Sequence, residues 1–324
     1  MNIVSLFSGG GGLDLGFKQA GFNILWANEF DKNIWATHEK NFKETYLCKK
    51  SIVDIKIEEI PDCIGLIGGP PCQSFSEAGM KRGTQDARGQ LFWDYIRILK
   101  AKKPYFFVAE NVSGLLSTRH QNDLNAFIKA FNDVGYNVDT KIYKASDFGV
   151  AQDRERLIFI GYKKEFNNFF SGLEKKSKQT LKNVILDMPR VTETKNGKAN
   201  ITKPLLNHEY MLGGFSSMFM SRNRVRAWDE ASFTILATAR QIPLHPQAPK
   251  MIKVEKDKFE FVKGYEHLYR RLSVRECARI QTFPDDYEFL YSKIEDGYKM
   301  VGNAVPVFLA KQIAEKIKDD LLLS

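Results

Sequence analysis

The order of apolar runs and turns at the start of the chain limits its fold more than any other feature. Residues 2–7 read as an apolar strand, Ser8-Gly9-Gly10-Gly11-Gly12 as a flexible turn, and residues 13–20 as a helix stopped by Gly21. Residues 22–28 are the next strand, and Glu29 stands at its end. Strand, glycine turn, helix, strand and acid is the order of a nucleotide-binding βαβ unit, with Glu29 placed 20 residues after Gly9 to bond ribose hydroxyls. The glycine spacing is not a clean G-x-G-x-x-G, and a nicotinamide-dependent oxidoreductase is also compatible with it.

A further buried strand, residues 64–67, opens into Gly68-Gly69-Pro70-Pro71-Cys72-Gln73-Ser74. The glycines let another backbone or a planar ligand come close, and the prolines fix φ and remove two donors, so Cys72 is held on a stiff support at a strand end. A thiol is mostly protonated near neutral pH, and a reactive one needs positive charge or a helix N-terminus beside it. Lys81, Arg82 and Arg88 follow closely, although a cysteine buried in an ordinary βα turn has the same sequence. Residues 105–112 form a strand carrying Glu110 and Asn111 near its end. Strand C-termini of a parallel sheet line the ligand crevice, so a thiol and a carboxylic acid would face one substrate. The long connection at 73–90 reads as a lid.

Further along, Asp54 follows a β-prone stretch, either as a ligand contact or as a helix cap. Residues 123–134 are an amphipathic helix whose apolar face suits packing. In Gln152-Asp153-Arg154-Glu155-Arg156, before a strand at 157–161, alternate arginines at a strand edge are expected to point the same way. They would meet a ligand, or pair with acids on the surface. From 171 to about 204 the alternation fades into Lys, Thr and Asn, with a turn at 195–198. Beyond it, residues 221–228 and 233–241 combine Arg222, Arg224, Arg226 and Arg240 with amides, the side chains that read guanine and adenine edges in a major groove. Ser273-Val274-Arg275-Glu276 is a capping box, and Pro306 sits at the first turn of a C-terminal helix.

Charge sharpens this division. The chain has 48 Lys and Arg against 39 Asp and Glu, but residues 171–275 hold 20 against 10, so the remainder is 28 against 29. The whole basic surplus lies in one segment, as a nucleic-acid footprint would require, or as a lysine-rich solvated face. At 324 residues the chain can bury a full core and divide into two lobes. No apolar run approaches the length that spans a bilayer, and no signal-like n-region opens the chain, so a cytoplasmic protein is expected. Cys48, Cys63, Cys72 and Cys277 have neither metal-like spacing nor a disulfide framework. No metal site is expected.

Together these motifs, in order from Phe7 to Pro306, resemble the DNA cytosine-5 methyltransferase family, and in particular bacterial restriction-modification members. Phe7 to Gly12 matches that family's Phe-x-Gly-x-Gly-Gly run apart from a glycine where alanine is more usual. The resemblance implies an α/β fold: a Rossmann-like S-adenosylmethionine-dependent methyltransferase sheet with a smaller, mostly β or irregular target-recognition domain. The expected division is 1–175 for catalysis and cofactor, 176–280 for target recognition, and 281–324 completing the catalytic domain. It implies that Cys72 adds to C6 of a flipped-out cytosine, that Glu110 binds N3, and that Arg154 and Arg156 meet the base and its phosphate, with Arg156 at cytosine O2. The implied cofactor is S-adenosyl-L-methionine, contacted by Phe7, Gly9, Gly11, Gly12, Leu13, Glu29, Asp54, Ile55, Pro70, Leu91, Asn303 and Val305. Implied DNA contacts are Ser74, Arg88, Arg222, Arg224, Arg226 and Arg240. The wording of 207–249 resembles members that modify GGCC. Expected partners are double-stranded DNA and, on the same site, a cognate restriction endonuclease, with a monomeric, nucleoid-associated bacterial enzyme and no membrane. Two rivals stand beside this reading: a related RNA cytosine-5 methyltransferase and a catalytically silent DNA-binding protein.

Overall fold

The computed structural model of the protein describes residues 1–71, 87–166, 170–189, 191–193 and 205–322. Cys72, Ser74, most of the 73–90 connection and the turn at 195–198 lie outside these residues. Arg88 stands in a described helix, but its side chain is likewise outside them.

Apolar residues on consecutive positions build a sheet buried on both faces. Along the chain come β1 (Asn2–Leu6), α1 (Gly12–Gln19), β2 (Asn23–Asn28), α2 (Lys32–Asn41), β3 (Tyr46–Cys48), β4 (Gly65–Gly68), α3 (Ala87–Lys102), β5 (Phe106–Val112), α4 (Gln121–Asp133), β6 (Tyr136–Lys144), β7 (Gln152–Asp153) and β8 (Glu155–Lys163). Seven of these strands form one sheet in the order β3-β2-β1-β4-β5-β8-β6. Ile3, Ile67, Phe106 and Val108 face α1 on one side, whereas Val4, Leu66 and Phe107 face α3 and α4 on the other. The period of two in a strand makes this sorting automatic. β1 pairs in parallel with both β2 and β4, and the chain proceeds outward from β1 in opposite directions, which opens a crevice at the C-terminal ends of β1 and β4.

Two local features depart from a regular parallel α/β order. β8 runs antiparallel to β5 and to β6. The link from β6 to β8 holds no crossover helix, so the chain folds directly back on itself. Residues 52–54 form a single 3₁₀ turn rather than an extended stretch, with Arg97 donating to the carbonyls of Ile52 and Ile55.

After β8 the chain passes through α5 (Leu181–Ile185) and strand fragments β9 (Thr192–Glu193), β10 (Glu209–Tyr210), β11 (Ser232–Phe233), β12 (Ile252–Glu255) and β13 (Lys258–Glu260). Most of residues 205–273 is irregular, around a small apolar cluster of Phe219, Val225, Leu244, Ala248, Met251 and Tyr269. Three helices follow: α6 (Val274–Ile280), α7 (Ile294–Asn303) and α8 (Val307–Leu322). The capping box at Ser273 is formed, with its hydroxyl accepting from Glu276 N and the Glu276 carboxylate accepting from Ser273 N. α8 crosses α1 closely enough that a Cβ at Gly16 would lie 2.4 Å from the Ala310 side chain, so both chain ends build one layer.

Candidate active site

The glycine turn after β1 shapes the first half of the site. Phe7, Gly9 and Gly11 all take the left-handed conformation, with φ of 54°, 54° and 75°. Two of these three are glycines, which pay little for it, while Phe7 is held there by its surroundings. The turn and the ends of β1, β4 and β5 enclose a cleft of about 600 Å³, to which Glu29, Pro70, Pro71, Asn303 and Val305 also contribute. Phe7, Gly9, Gly12 and Leu13 line it as well. Gly11 lies behind it, where a Cβ would strike the Tyr287 hydroxyl and the Phe42 ring. Asp54 is exposed, Ile55 is buried and Leu91 packs against the α3 side of the core; none of the three lines the cleft.

Glu29 is fixed by two backbone donors, Gly9 N at 2.8 Å and Asp31 N at 2.7 Å. Burial nevertheless dominates and pushes its pKa above the ordinary carboxylate value, against the pull of those two N–H groups. Asp31 and Lys299 form an ion pair of 2.7 Å at the cleft wall. Nothing in the sequence links positions so far apart, and neither residue was expected there.

Glu110 and Arg156 form the second half. They sit on the antiparallel pair β5 and β8, with Arg156 Nε 2.6 Å from Glu110 Oε1 and both side chains largely buried. The other carboxylate oxygen lies toward Gly69, where a Cβ would come within 3.2 Å of it. Asn111 donates to the Pro70 carbonyl at 3.1 Å, tying the end of β5 to the support that leads into Cys72. Asn111 was legible in the sequence only as the neighbour of Glu110.

Arg156 also lines a second cleft, of about 550 Å³, between the sheet and the irregular segment. Lys144, Arg222, Arg224, Arg226, Thr234 and Gln241 contribute to it. The expected contacts there divide. Arg222 and Arg240 are exposed, and only Arg222 lines the cleft. Arg226 spends its ends on Asp153 and Glu230 and lies 4.1 Å over the Phe233 ring. Arg224 is buried, donating to the carbonyls of Phe219 and Met218 and to Gln241.

Arg154 corrects the expectation that alternate arginines point together. Its N–H turns back to the Gln152 carbonyl between β7 and β8, which breaks the strand alternation. The side chain runs inward instead, 1% exposed, and donates to the carbonyls of Ile235 at 3.0 Å and Gly302 at 2.8 Å. Burial lowers its pKa to about 9, which leaves it charged near neutral pH. Gln152 joins it by accepting from Ile235 N and donating to Gln281, whose own amide reaches the carbonyls of Val301 and Ala304. This junction positions the irregular segment against the strip that carries Asn303 and Val305.

Comparison with known proteins places the whole chain in one family. The profile of the C-5 cytosine-specific DNA methylases matches residues 1–319. The Type II methyltransferase M.NgoPII of Neisseria gonorrhoeae is 54% identical over 329 residues, which cover 99% of this chain and 96% of that protein. M.FnuDI of Fusobacterium nucleatum, also a Type II methyltransferase, is 53% identical over 328 residues, covering 99% and 95%. Among solved structures, the Entamoeba histolytica methyltransferase EhMeth matches with a TM-score of 0.73 at 20% identity, over 99% of this chain and 98% of that one, a likeness of fold.

Proposed function

Because the chain belongs to the C-5 cytosine-specific DNA methylase family, we propose that it transfers a methyl group from S-adenosylmethionine to C5 of a flipped-out cytosine in duplex DNA, through a covalent bond between Cys72 and C6. The observation that carries this reading is the Glu110–Arg156 pair, because Arg156 lines both clefts and Glu110 faces the one that Pro71, the residue before Cys72 in sequence, also lines.

The first cleft suits the cofactor. Glu29 offers carboxylate oxygens for ribose hydroxyls, Phe7, Leu13, Pro70 and Val305 give apolar walls, and Asn303 stands exposed at the rim. When bound, S-adenosylmethionine supplies a methyl group on a positively charged sulfur. The chain's own residues make C5 able to take it. The Cys72 thiolate forms a bond to C6 while Glu110 gives a proton to N3, so the ring's electrons collect at C5. After C5 has gained the methyl group it loses its proton to a base, N3 returns its proton to Glu110, the C5–C6 double bond returns, and Cys72 leaves as thiolate. Arg156 holds Glu110 in place and reaches cytosine O2. The base must leave the duplex first, at a cost of a few kcal/mol in stacking and pairing.

The second cleft and the basic surplus of 171–275 receive the DNA. We assign it GGCC as target, on the wording of 207–249, and a monomeric, cytoplasmic role beside a restriction endonuclease of the same specificity. No helix among the described residues is long and apolar enough to cross a membrane.

A duplex carrying 5-fluorocytosine at the target tests the chemistry, since fluorine at C5 cannot leave as a proton does. The protein should form a denaturant-resistant complex with it only when S-adenosylmethionine is present. Cys72→Ser should bind DNA without forming it, and Glu110→Gln should form it orders of magnitude more slowly. Methylation of the unmodified duplex without any trapped species would refute covalent catalysis.

A further inference from the structure

The second cleft holds a side chain whose orientation is decided from behind. Gln241 ends the short 3₁₀ turn Ala239–Gln241 and lines the cleft. Its Oε1 accepts from Arg224 Nη2 at 2.9 Å. Arg224 cannot move to accommodate another arrangement: its Nε donates to the Phe219 carbonyl at 2.8 Å, the same Nη2 donates to the Met218 carbonyl at 3.0 Å, and its guanidinium lies 4.6 Å from the centre of the Phe219 ring.

An arginine has donors only, so the amide must turn its oxygen toward Arg224 and its nitrogen away. That Nε2 has no hydrogen-bond partner among the described residues, and it is not shut off from solvent. Apart from the exposed Arg222, three polar neighbours in the cleft are committed elsewhere. Asn223 is held by Val225 and by Met251 N, Thr234 donates to the Asp153 carbonyl, and Arg226 is paired with two acids.

Resting on the DNA-methylating role proposed above, we infer that Gln241 is a specificity-determining residue that offers only donors to the DNA and reads guanine in the major groove. A free glutamine pairs with adenine, using its oxygen for the N6 amino group and its nitrogen for N7. Here the oxygen is occupied. At an adenine only N7 could accept, and an amino group placed between N7 and the six-position would meet the N6 amino group, donor against donor. Guanine offers two adjacent acceptors, O6 and N7, and accommodates an amino group alone. Arg224 is then a positioning residue, whose main task is to hold the amide in one sense.

The test replaces each guanine of the methylated site, one at a time, with 7-deazaguanine, which lacks N7, or with hypoxanthine, which keeps O6 and N7. At one position 7-deazaguanine should lower wild-type kcat/KM roughly tenfold or more while hypoxanthine there does not. Gln241→Glu retains an acceptor for Arg224 but presents an oxygen to the base. Its kcat/KM on the native duplex should fall, and the added penalty of 7-deazaguanine at that position should disappear. Gln241→Ala provides the same comparison should the glutamate variant melt early. An undiminished 7-deazaguanine penalty at every guanine in both variants, or no penalty at any guanine in the wild type, would overturn the inference while leaving the methylation reading intact. A wild-type protein that transfers no methyl group to any duplex would overturn both.

Discussion

The sheet and the irregular segment solve the same problem by different means. In the sheet, β1, β4, β5 and β8 each pair with a strand on either side, and position is set by apolar side chains that alternate between two helical layers. Residues 205–273 have few ladder bonds, and buried arginines in that segment and at the start of α6 tie carbonyl groups together. Arg271 donates to Met211, Gly213 and Gly214, Arg224 to Met218 and Phe219, and Arg275 to Leu206, Pro284 and Tyr287. A guanidinium has five N–H donors in a planar fork, so one side chain can serve several loops that share no regular structure. The sheet thus gains tolerance from many small contacts, and the segment gains an arbitrary shape from a few large ones. That suits a surface that must match a particular DNA sequence.

If that contrast is right, the largest loss should come from an arginine. Arg275 is fully buried and also bonds Asn207 Oδ1, so Arg275→Met leaves several carbonyls without a donor and should destabilise by about 3 to 5 kcal/mol in denaturant unfolding. Arg275→Lys should recover little, because an ammonium cannot span the same acceptors. Near wild-type stability in the lysine variant would mean that charge matters here and the fork does not.

A somewhat smaller effect belongs to His245. Burial lowers its pKa from 6.5 to about 4, and its Nδ1 accepts from Gln247 N, which leaves the proton on Nε2 toward Glu276. The group binds a proton more readily unfolded than folded. Its contribution is therefore complete above pH 6.5 and is lost as pH falls toward 4, by about 3 kcal/mol. His208 is shifted the same way, also by burial, and adds to the slope. His245→Gln should flatten the fall in unfolding free energy between pH 7 and 4, and an unchanged slope would remove His245 from the account.

The smallest effect should lie in the sheet. Ile160, buried on β8, removes one methylene as Ile160→Val and should cost about 1 kcal/mol, with methylation rates unaltered. A loss as large as that of Arg275→Lys would erase the distinction between the two regions.

The βαβ opening, the stiff support before Cys72, the strand carrying Glu110 and the cap at Ser273 were all legible in the sequence. Each rests on neighbours within a few positions, where periodicity, proline and glycine geometry and capping chemistry act. The side chain of Arg154 was not legible. Its direction depends on a backbone break after β7 and on carbonyls at 235 and 302, supplied by remote parts of the chain. The same holds for Asp31 beside Lys299, for Arg275 and for the locked amide of Gln241. Residue type alone could say that an arginine at 222, 224 or 226 has donors to give. Only the tertiary structure decides whether those donors face DNA or are already spent inside the protein, because a guanidinium goes wherever unsatisfied oxygens converge.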